Sequence, residues 1–320
     1  MSTIPLVSII CLCYNHERFL TEALNSVLAQ TYPNIEVVVV DDASTDGSAD
    51  IIQTYLEANP QIRFISTEYN RGNCTAFNMG WRASNGDYLI DFATDDVLLP
   101  DRVEKQITAF TQLDQSYGVI YTDAAYINDN SEPIGFHYKR DRKGRLLSFA
   151  PSGYIFKELL QQYIICPPTM MVRRQVLETL KGYDESLAYE DFDFWIRSSK
   201  LYQYFYLDQV TTKRRVHASS LSKSWYGKGN RLLASTIKVC EKAARLVQTA
   251  EEKRALVQRL KYEARHAYLT DNFEEAKALL LLLKKEARLP LSYIFLLLLS
   301  KYKLSFSFAR RFYYRIRYGT

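Results

Sequence analysis

The first hundred residues alternate between two hydrophobic rhythms. Leu6–Cys13 is a nearly continuous apolar run. After it, Phe19, Leu20, Ala23, Leu24, Val27 and Leu28 recur at three- and four-residue spacing, which predicts a helix over Glu17–Gln30. The Val-rich run Ile35–Val40 predicts a second strand, Asp46–Ala58 a second helix, Ile62–Ser66 a third strand, Thr75–Ala83 a third helix and Tyr88–Ala93 a fourth strand. Strands covered on both faces read as continuous apolar runs. The alternation therefore predicts an α/β chain with a mostly parallel, doubly wound, Rossmann-like sheet flanked by helices. Ligands of such sheets bind beyond the carboxyl ends of the strands. Those ends are polar here: Tyr14-Asn15, Asp41-Asp42 and Asp95-Asp96.

The regularity drops after residue 100. Arg102–Leu113 reads as a helix, Val119–Thr122 as a strand and Asn128–Arg145 as a polar loop or hairpin. The segment Ser152–Leu221 holds Pro167-Pro168, the apolar Thr169–Val172 and an acidic–aromatic cluster, Tyr189-Glu-Asp-Phe-Asp-Phe-Trp195. From about Trp225 the composition turns helical, over Asn230–Thr270 and Asn272–Arg288. A tetratricopeptide-like helix pair would suit that stretch, but no repeat is strong enough to read as a solenoid. The expected organisation is one domain over residues 1–224, divided near residue 100, and a helical C-terminal region over 225–320.

Composition narrows the class. Hydrophobic content of 47% with 24% charged residues fits a folded chain rather than a disordered one. Five cysteines, an odd number with no Cys-x-x-Cys pair, point to a reduced, cytoplasmic setting and to small buried residues. No signal-peptide pattern opens the chain, and no apolar run reaches the ~18 residues of a membrane-spanning helix. The net charge of +5 is unevenly placed. After the apolar Leu289–Leu299, the stretch Lys301–Thr320 carries Lys301, Lys303, Arg310, Arg311, Arg315 and Arg317, interleaved with aromatic residues and free of acids. Such a segment can lie on the inner, anionic face of a membrane, pack on its own domain or a partner subunit, or meet nucleic acid. The first is the favoured reading, and a nucleic-acid partner is not expected.

Adjacent acids at a strand mouth repel unless a cation or hydrogen-bond donors satisfy them. Asp95-Asp96 therefore suggests a divalent ion, Mn²⁺ or Mg²⁺, held with substrate phosphates. A polar turn capping the next helix is the plainer alternative. Tyr14 could stack on a nucleobase, and Asp41-Asp42 could accept hydrogen bonds from a base or ribose. Several such nodes on one sheet edge converge in space. Glu190-Asp191 is a further node. There, acids at a helix start are the alternative, for Asp193 in particular. The basic stretch before His217, Lys213-Arg214-Arg215, reads as a loop able to meet a diphosphate. His16 and His137 carry no expected role.

Val7-Ser-Ile-Ile-Cys-Leu-Cys-Tyr-Asn15, Leu28-Ala-Gln-Thr-Tyr32, Val38-Val-Val-Asp-Asp-Ala-Ser-Thr-Asp-Gly47, Asn70-Arg-Gly-Asn73 and Thr94-Asp-Asp96 together resemble the family 2 inverting glycosyltransferases of the GT-A fold. Gly182-Tyr-Asp-Glu185, Glu190-Asp-Phe-Asp-Phe-Trp195 and Arg215-Val-His217 are similar to the same family's acceptor half. The resemblance covers roughly residues 5 to 221. It implies transfer of one sugar from a nucleoside diphosphate donor, UDP-linked in this reading, to a hydroxyl of a glycan or lipid-linked acceptor in cell-surface polysaccharide synthesis. It implies Asp191 as general base, Asp96 and His217 at the metal, and Leu12, Tyr14, Asp41, Asp42, Asn70, Arg71 and Asp95 at the nucleotide sugar. Cys11-Leu12-Cys13 departs from the Pro-Thr or Pro-Val common before Tyr-Asn. The Gln-x-x-Arg-Trp motif of processive synthases is absent from the sequence. Nucleotidyl transfer and non-catalytic nucleotide-sugar binding are the competing readings; the first usually needs a Gly-rich phosphate loop, which Tyr14-Asn-His-Glu17 is not.

Overall fold

The computed structural model describes residues 4–217, 227, 229 and 231–305. The chain divides into two compact units, Met1–Ile155 with Ile164–Ala218, and Phe156–Tyr163 with Ser219–Thr320.

The first unit is built on one sheet. Its strands are β1 (Val7–Cys13), β2 (Ile35–Asp41), β3 (Arg63–Ser66), β4 (Tyr88–Ala93), β5 (Val97–Leu98), β6 (Tyr117–Ile127), β7 (Pro133–Phe136), β8 (Met171–Arg173) and β9 (Gln203–Arg215). They lie in the order β3-β2-β1-β4-β8-β6-β9-β5, with β7 beside β6. β1 to β4 pair in parallel. β8 is antiparallel to both β4 and β6, so β6 runs with β4, and β9 is parallel to β6. Six of the nine described strands thus share one direction, and the mostly parallel expectation holds. The chain moves outward from β1 to β3 and then returns to place β4 on β1's other side, which is the switch point where such sheets open a crevice.

Helices cover both faces. α1 (Glu17–Leu28), α2 (Ser48–Ala58) and α4 (Arg102–Thr111) follow the expected periodicity, and Leu20, Leu24, Val27, Ile52, Val103 and Phe110 join Ile9, Cys11, Ile90 and Phe92 in one buried core. α3 (Asn73–Ala83) packs against the opposite face of β1 and β2. It comes so close that a Cβ on Gly80 would stand 2.4 Å from Ile10 Cγ2. All five cysteines are free and buried.

Several expectations change. β6 is longer than Val119–Thr122, whereas Asn128–Arg145 holds the strand β7 of a hairpin, one of its two expected forms. Lys213-Arg214-Arg215 is not a loop but the end of the long strand β9, whose half-buried residues had too little apolar contrast to signal a strand. A 3-10 turn precedes β8, and α6 (Arg174–Leu180) and α7 (Asp191–Ser198) complete this unit.

The second unit is helical, with α5 (Phe156–Gln161), α8 (Arg231–Leu246), α9 (Ala250–Leu269), α10 (Phe273–Glu286) and α11 (Leu291–Lys301). The stretch expected to be helical over Asn230–Thr270 is broken where Thr249 and Glu252 form a reciprocal cap at the start of α9. Inside, Arg259 is buried, pairs with Glu263 at 3.1 Å and donates to Leu160 O on α5. Among the described residues no helix is long and apolar enough to cross a membrane. Most of the basic aromatic tail, residues 306–320, lies outside the described residues.

Gly80→Val overfills the α3–sheet contact. We expect it to lower the unfolding free energy by about 1–3 kcal/mol, read from the midpoint of a urea titration; an unchanged midpoint would mean that the contact relaxes freely.

Candidate active site

Three parallel strands deliver their polar ends to one edge. In register, Cys13 lies beside Asp41, and Leu12 lies beside both Val40 and Ala93. Beyond those positions the loops after β1 and β2 are stitched together. Asn15, held at a φ of 59°, accepts from Thr45 N at 2.7 Å, while its own N–H donates to Ser44 Oγ at 2.9 Å. Glu17 N donates to Asp46, and Gly47 N donates back to Glu17. Tyr14 is exposed and Leu12 is buried.

The two acids after β2 separate in role. Asp41 Oδ1 accepts from Ser44 Oγ at 2.5 Å. Asp42 accepts from Thr67 Oγ1, Arg71 N and Gly72 N, at 3.0, 2.8 and 2.8 Å. It therefore anchors the 67–72 loop, which leaves Asn70 exposed and the Arg71 guanidinium 4.9 Å from the Tyr69 ring.

Asp95 and Asp96 follow β4. His217 Nε2 lies 2.9 Å from Asp95 Oδ2. Burial works to raise the Asp95 carboxyl, but the hydrogen bond from His217 and the charges of His16 and His217 outweigh it and hold it low. Asp96 is buried and accepts from Arg215 N at 2.7 Å. Burial first, and the charge of Asp95 second, push the Asp96 carboxyl well above the usual carboxylate range. Adjacent acids in this state suit a hard divalent ion, which relieves both effects at once. Among the described residues no group of three His, Cys, Asp or Glu is placed to hold an ion.

Arg215 fixes this turn. Its side chain is 1% exposed. Nε donates to Asp95 O at 2.8 Å, Nη1 to Asn128 O and Ser131 Oγ, and Nη2 to Glu22 Oε2 at 2.6 Å, while the guanidinium lies 4.5 Å from the Phe19 ring. Its neighbour Arg214 faces the other way, toward Asp96 and Asp191 and over the Tyr126 ring.

On α7, Glu190 is the cap residue and Asp191 the first helical residue. Asp191 Oδ1 is buried without a hydrogen-bond partner. Its carboxyl is pushed well above the usual range by burial, then by the charge of Glu190, a hydrogen bond to it and the charge of Asp91, against the opposing charge of Arg214. Asp193 takes the structural alternative. It is 1% exposed and pairs with Arg197 at 2.6 Å, and Arg197 also donates to Leu180 O and Gly182 O. Asn78 locks Tyr183 by two backbone bonds of 2.9 Å, over Gly182, whose φ of 79° and close approach to Asn78 exclude a side chain.

The edge thus gathers Asp41, Asp42, Asp95, Asp96 and His217, with Tyr14 exposed at the end of β1, and the charge of Arg214 acts on both Asp96 and Asp191. Sequence reasoning missed the Glu22–Arg215 pair, Asn73, Asn78 and Asp91. Only Asp91 left a signal, as the one charged residue inside the apolar run Tyr88–Ala93.

The family model for Glycosyl transferase family 2 matches residues 8–181. An uncharacterized glycosyltransferase of Rickettsia prowazekii is 31% identical over 225 residues, 69% of this chain and 67% of that protein. The structure is similar to that of S. aureus TarS 1-349 in complex with UDP-GlcNAc, with a TM-score of 0.67 and 18% identity over 98% of this chain and 92% of that one. It is also similar to a mannosyltransferase from Pyrobaculum calidifontis in complex with GDP-Man and Mn²⁺, with a TM-score of 0.60 and 16% identity over 99% of this chain and 88% of that one.

Arg215→Ala leaves Glu22 and two backbone carbonyls without their shared donor. We expect a loss of about 2–4 kcal/mol of stability in chemical denaturation; a loss within error would remove Arg215 from this supporting role.

Proposed function

The chain belongs to glycosyl transferase family 2 and has the GT-A fold, and from that premise we propose that it is an inverting, metal-dependent enzyme. It moves one sugar from a UDP-linked donor to a hydroxyl of a glycan or lipid-linked acceptor in cell-surface polysaccharide synthesis. The observation that carries this reading is the buried, unpartnered Oδ1 of Asp191. A buried acceptor atom without a donor costs free energy unless a ligand supplies one, and an acceptor hydroxyl does so.

In the reaction the acceptor O–H proton passes to Asp191 as the oxygen bonds the anomeric carbon, and the electron pair of the broken C–O bond leaves with the diphosphate. Attack from the face opposite the leaving group inverts the centre. Asp96 and His217 would hold the Mn²⁺ or Mg²⁺, which supplies Lewis-acid stabilisation of the diphosphate charge. Arg214 adds a second, fixed positive charge between base and diphosphate. Asp95, oriented by His217, faces the ribose or diphosphate. Tyr14 stacks on the base, with Leu12 beneath it, and Asp41 and Asp42 read its edge. Asn70 and Arg71 close over the donor. The UDP-GlcNAc held by TarS supports the uridine reading, and the Mn²⁺ of the Pyrobaculum mannosyltransferase supports the metal. Two competing readings stand against this. Non-catalytic nucleotide-sugar binding leaves Asp191's orphaned oxygen unexplained, and nucleotidyl transfer lacks its phosphate loop.

A location on the inner membrane face is supported by α11. Leu291, Ile294, Phe295, Leu298 and Tyr302 form one exposed stripe at helical spacing, with Leu291 85% exposed and Lys301 and Lys303 at its end. An apolar stripe flanked by cations suits an anionic lipid surface.

Asp191→Asn should keep donor binding and cut transfer by about 10²–10⁴-fold, measured as release of free nucleoside diphosphate; normal turnover would sink the assigned base. Asp96→Ala, or chelation of the wild type, should weaken metal-dependent donor binding in calorimetric titration, and unchanged curves would count against the ligand role. On vesicles rich in anionic lipid, Leu291→Asp with Phe295→Asp should reduce flotation; binding equal to wild type would refute the membrane location.

A further inference from the structure

His16 follows β1 and has no part in the base, metal or nucleotide contacts proposed above. Its neighbours Asn15 and Glu17 both bond to the loop after β2, through Ser44, Thr45, Asp46 and Gly47. The His16 backbone N–H points the same way and donates to Ser48 Oγ at 3.1 Å. Its ring reaches the opposite way. Nδ1 lies 2.9 Å from Thr94 Oγ1, which directly follows β4. In the sheet β4 is β1's neighbour on the side away from β2. The half-buried imidazole therefore bridges the ends of β1 and β4 at the switch point, against the residue that precedes Asp95.

The hydrogen bonds decide which ring nitrogen carries the proton. A threonine hydroxyl has one hydrogen, and Thr94 Oγ1 donates it to Leu12 O at 2.9 Å. Toward His16 that hydroxyl can only accept, so Nδ1 is the donor. In the neutral ring this leaves Nε2 as a bare lone pair. Burial holds the imidazole below its ordinary pKa, against the opposing charge of Asp95, so the neutral ring is the form present near pH 7. Among the described residues Nε2 has no hydrogen-bond partner.

A lone pair selects what it can meet. An ionised diphosphate oxygen has no hydrogen to give, so it is not a partner for Nε2. A divalent ion would take the lone pair, but among the described residues no group of three His, Cys, Asp or Glu is placed to hold one. What remains is a ligand hydroxyl or N–H. A nucleoside diphosphate runs from base through ribose to diphosphate. The proposed function puts the base at Tyr14 and Asp42 and the diphosphate at Asp96, so the ribose falls between the ends of β1 and β4. We infer that His16 is a donor-binding residue whose Nε2 accepts a hydrogen bond from a ribose hydroxyl of the nucleotide, with Thr94 setting the tautomer for that bond. The inference deepens the proposed function and rests on its placement of the donor.

Calorimetric titration with UDP, 2′-deoxy-UDP and 3′-deoxy-UDP, with Mn²⁺ present, tests it. His16→Asn is the informative variant. Its amide nitrogen can stand where Nδ1 stands and keep the bond to Thr94, while nothing takes the place of Nε2. The wild type should bind UDP about three- to tenfold more tightly than the deoxy form that lacks the bonded hydroxyl. His16→Asn should lose that factor against UDP and bind the same deoxy form as the wild type does. A His16 that only shapes the turn would weaken all three ligands alike. That result would overturn the inference, as would unchanged affinity for all three or a wild type indifferent to both hydroxyls. Should GDP bind better than UDP, the guanosine series reads the same bond, since the ribose is common to both. Failure of the donor placement looks different: a wild type that binds neither UDP nor GDP removes the nucleotide edge itself, and this inference with it.

Discussion

One buried guanidinium sets the geometry on which the candidate site depends. Arg215 reaches α1 through Glu22 and Phe19, the β6–β7 turn through Asn128 and Ser131, and the Asp95-Asp96 turn through a carbonyl and its own backbone N–H. Arginine alone offers five donors in a flat fork, so one side chain can tie three elements at once. The arrangement also spends the Arg215 charge inside the protein. Arg214, one residue earlier and therefore on the other face of β9, is left to act on Asp96 and Asp191.

That alternation explains how one short stretch performs two tasks. Along β9, side chains alternate, so a scaffold residue and an electrostatic one follow each other in sequence. The same division holds at each acidic pair. Asp42 ties a loop while Asp41 holds Ser44, and Asp96 is buried against Arg215 while Asp95 meets His217. At α7, Asp191 keeps an unsatisfied atom while Asp193 is committed to Arg197.

The α/β half was legible because its strands are apolar on both faces and its helices carry a clean stripe. The ends of β1, β2 and β4 could be placed on one edge from order alone, since parallel strands joined by helices present the same end. β9 was not legible. Thr211, Thr212 and Arg215 are buried while Asp208 and Gln209 are exposed, so neither period stands out, and the burial of its polar residues comes from partners far away in sequence. Asn78 and Glu22 were hidden for the same reason. Their roles are hydrogen bonds to residues more than a hundred positions away, which no local pattern records. Asp91 was readable in principle, as a charge in an apolar run, but the run's hydrophobicity masked it.

The stitching of Asp42 has a bearing on redesign. Its two oxygens already accept three hydrogen bonds that shape the loop carrying Asn70 and Arg71. Substitution there to change nucleotide choice would unfasten that loop in the same stroke. If the proposed donor contact of Asp42 holds, donor choice and loop order would share one carboxylate, and engineering a new donor at this edge would have to begin with residues 67–72 and reach Asp42 last.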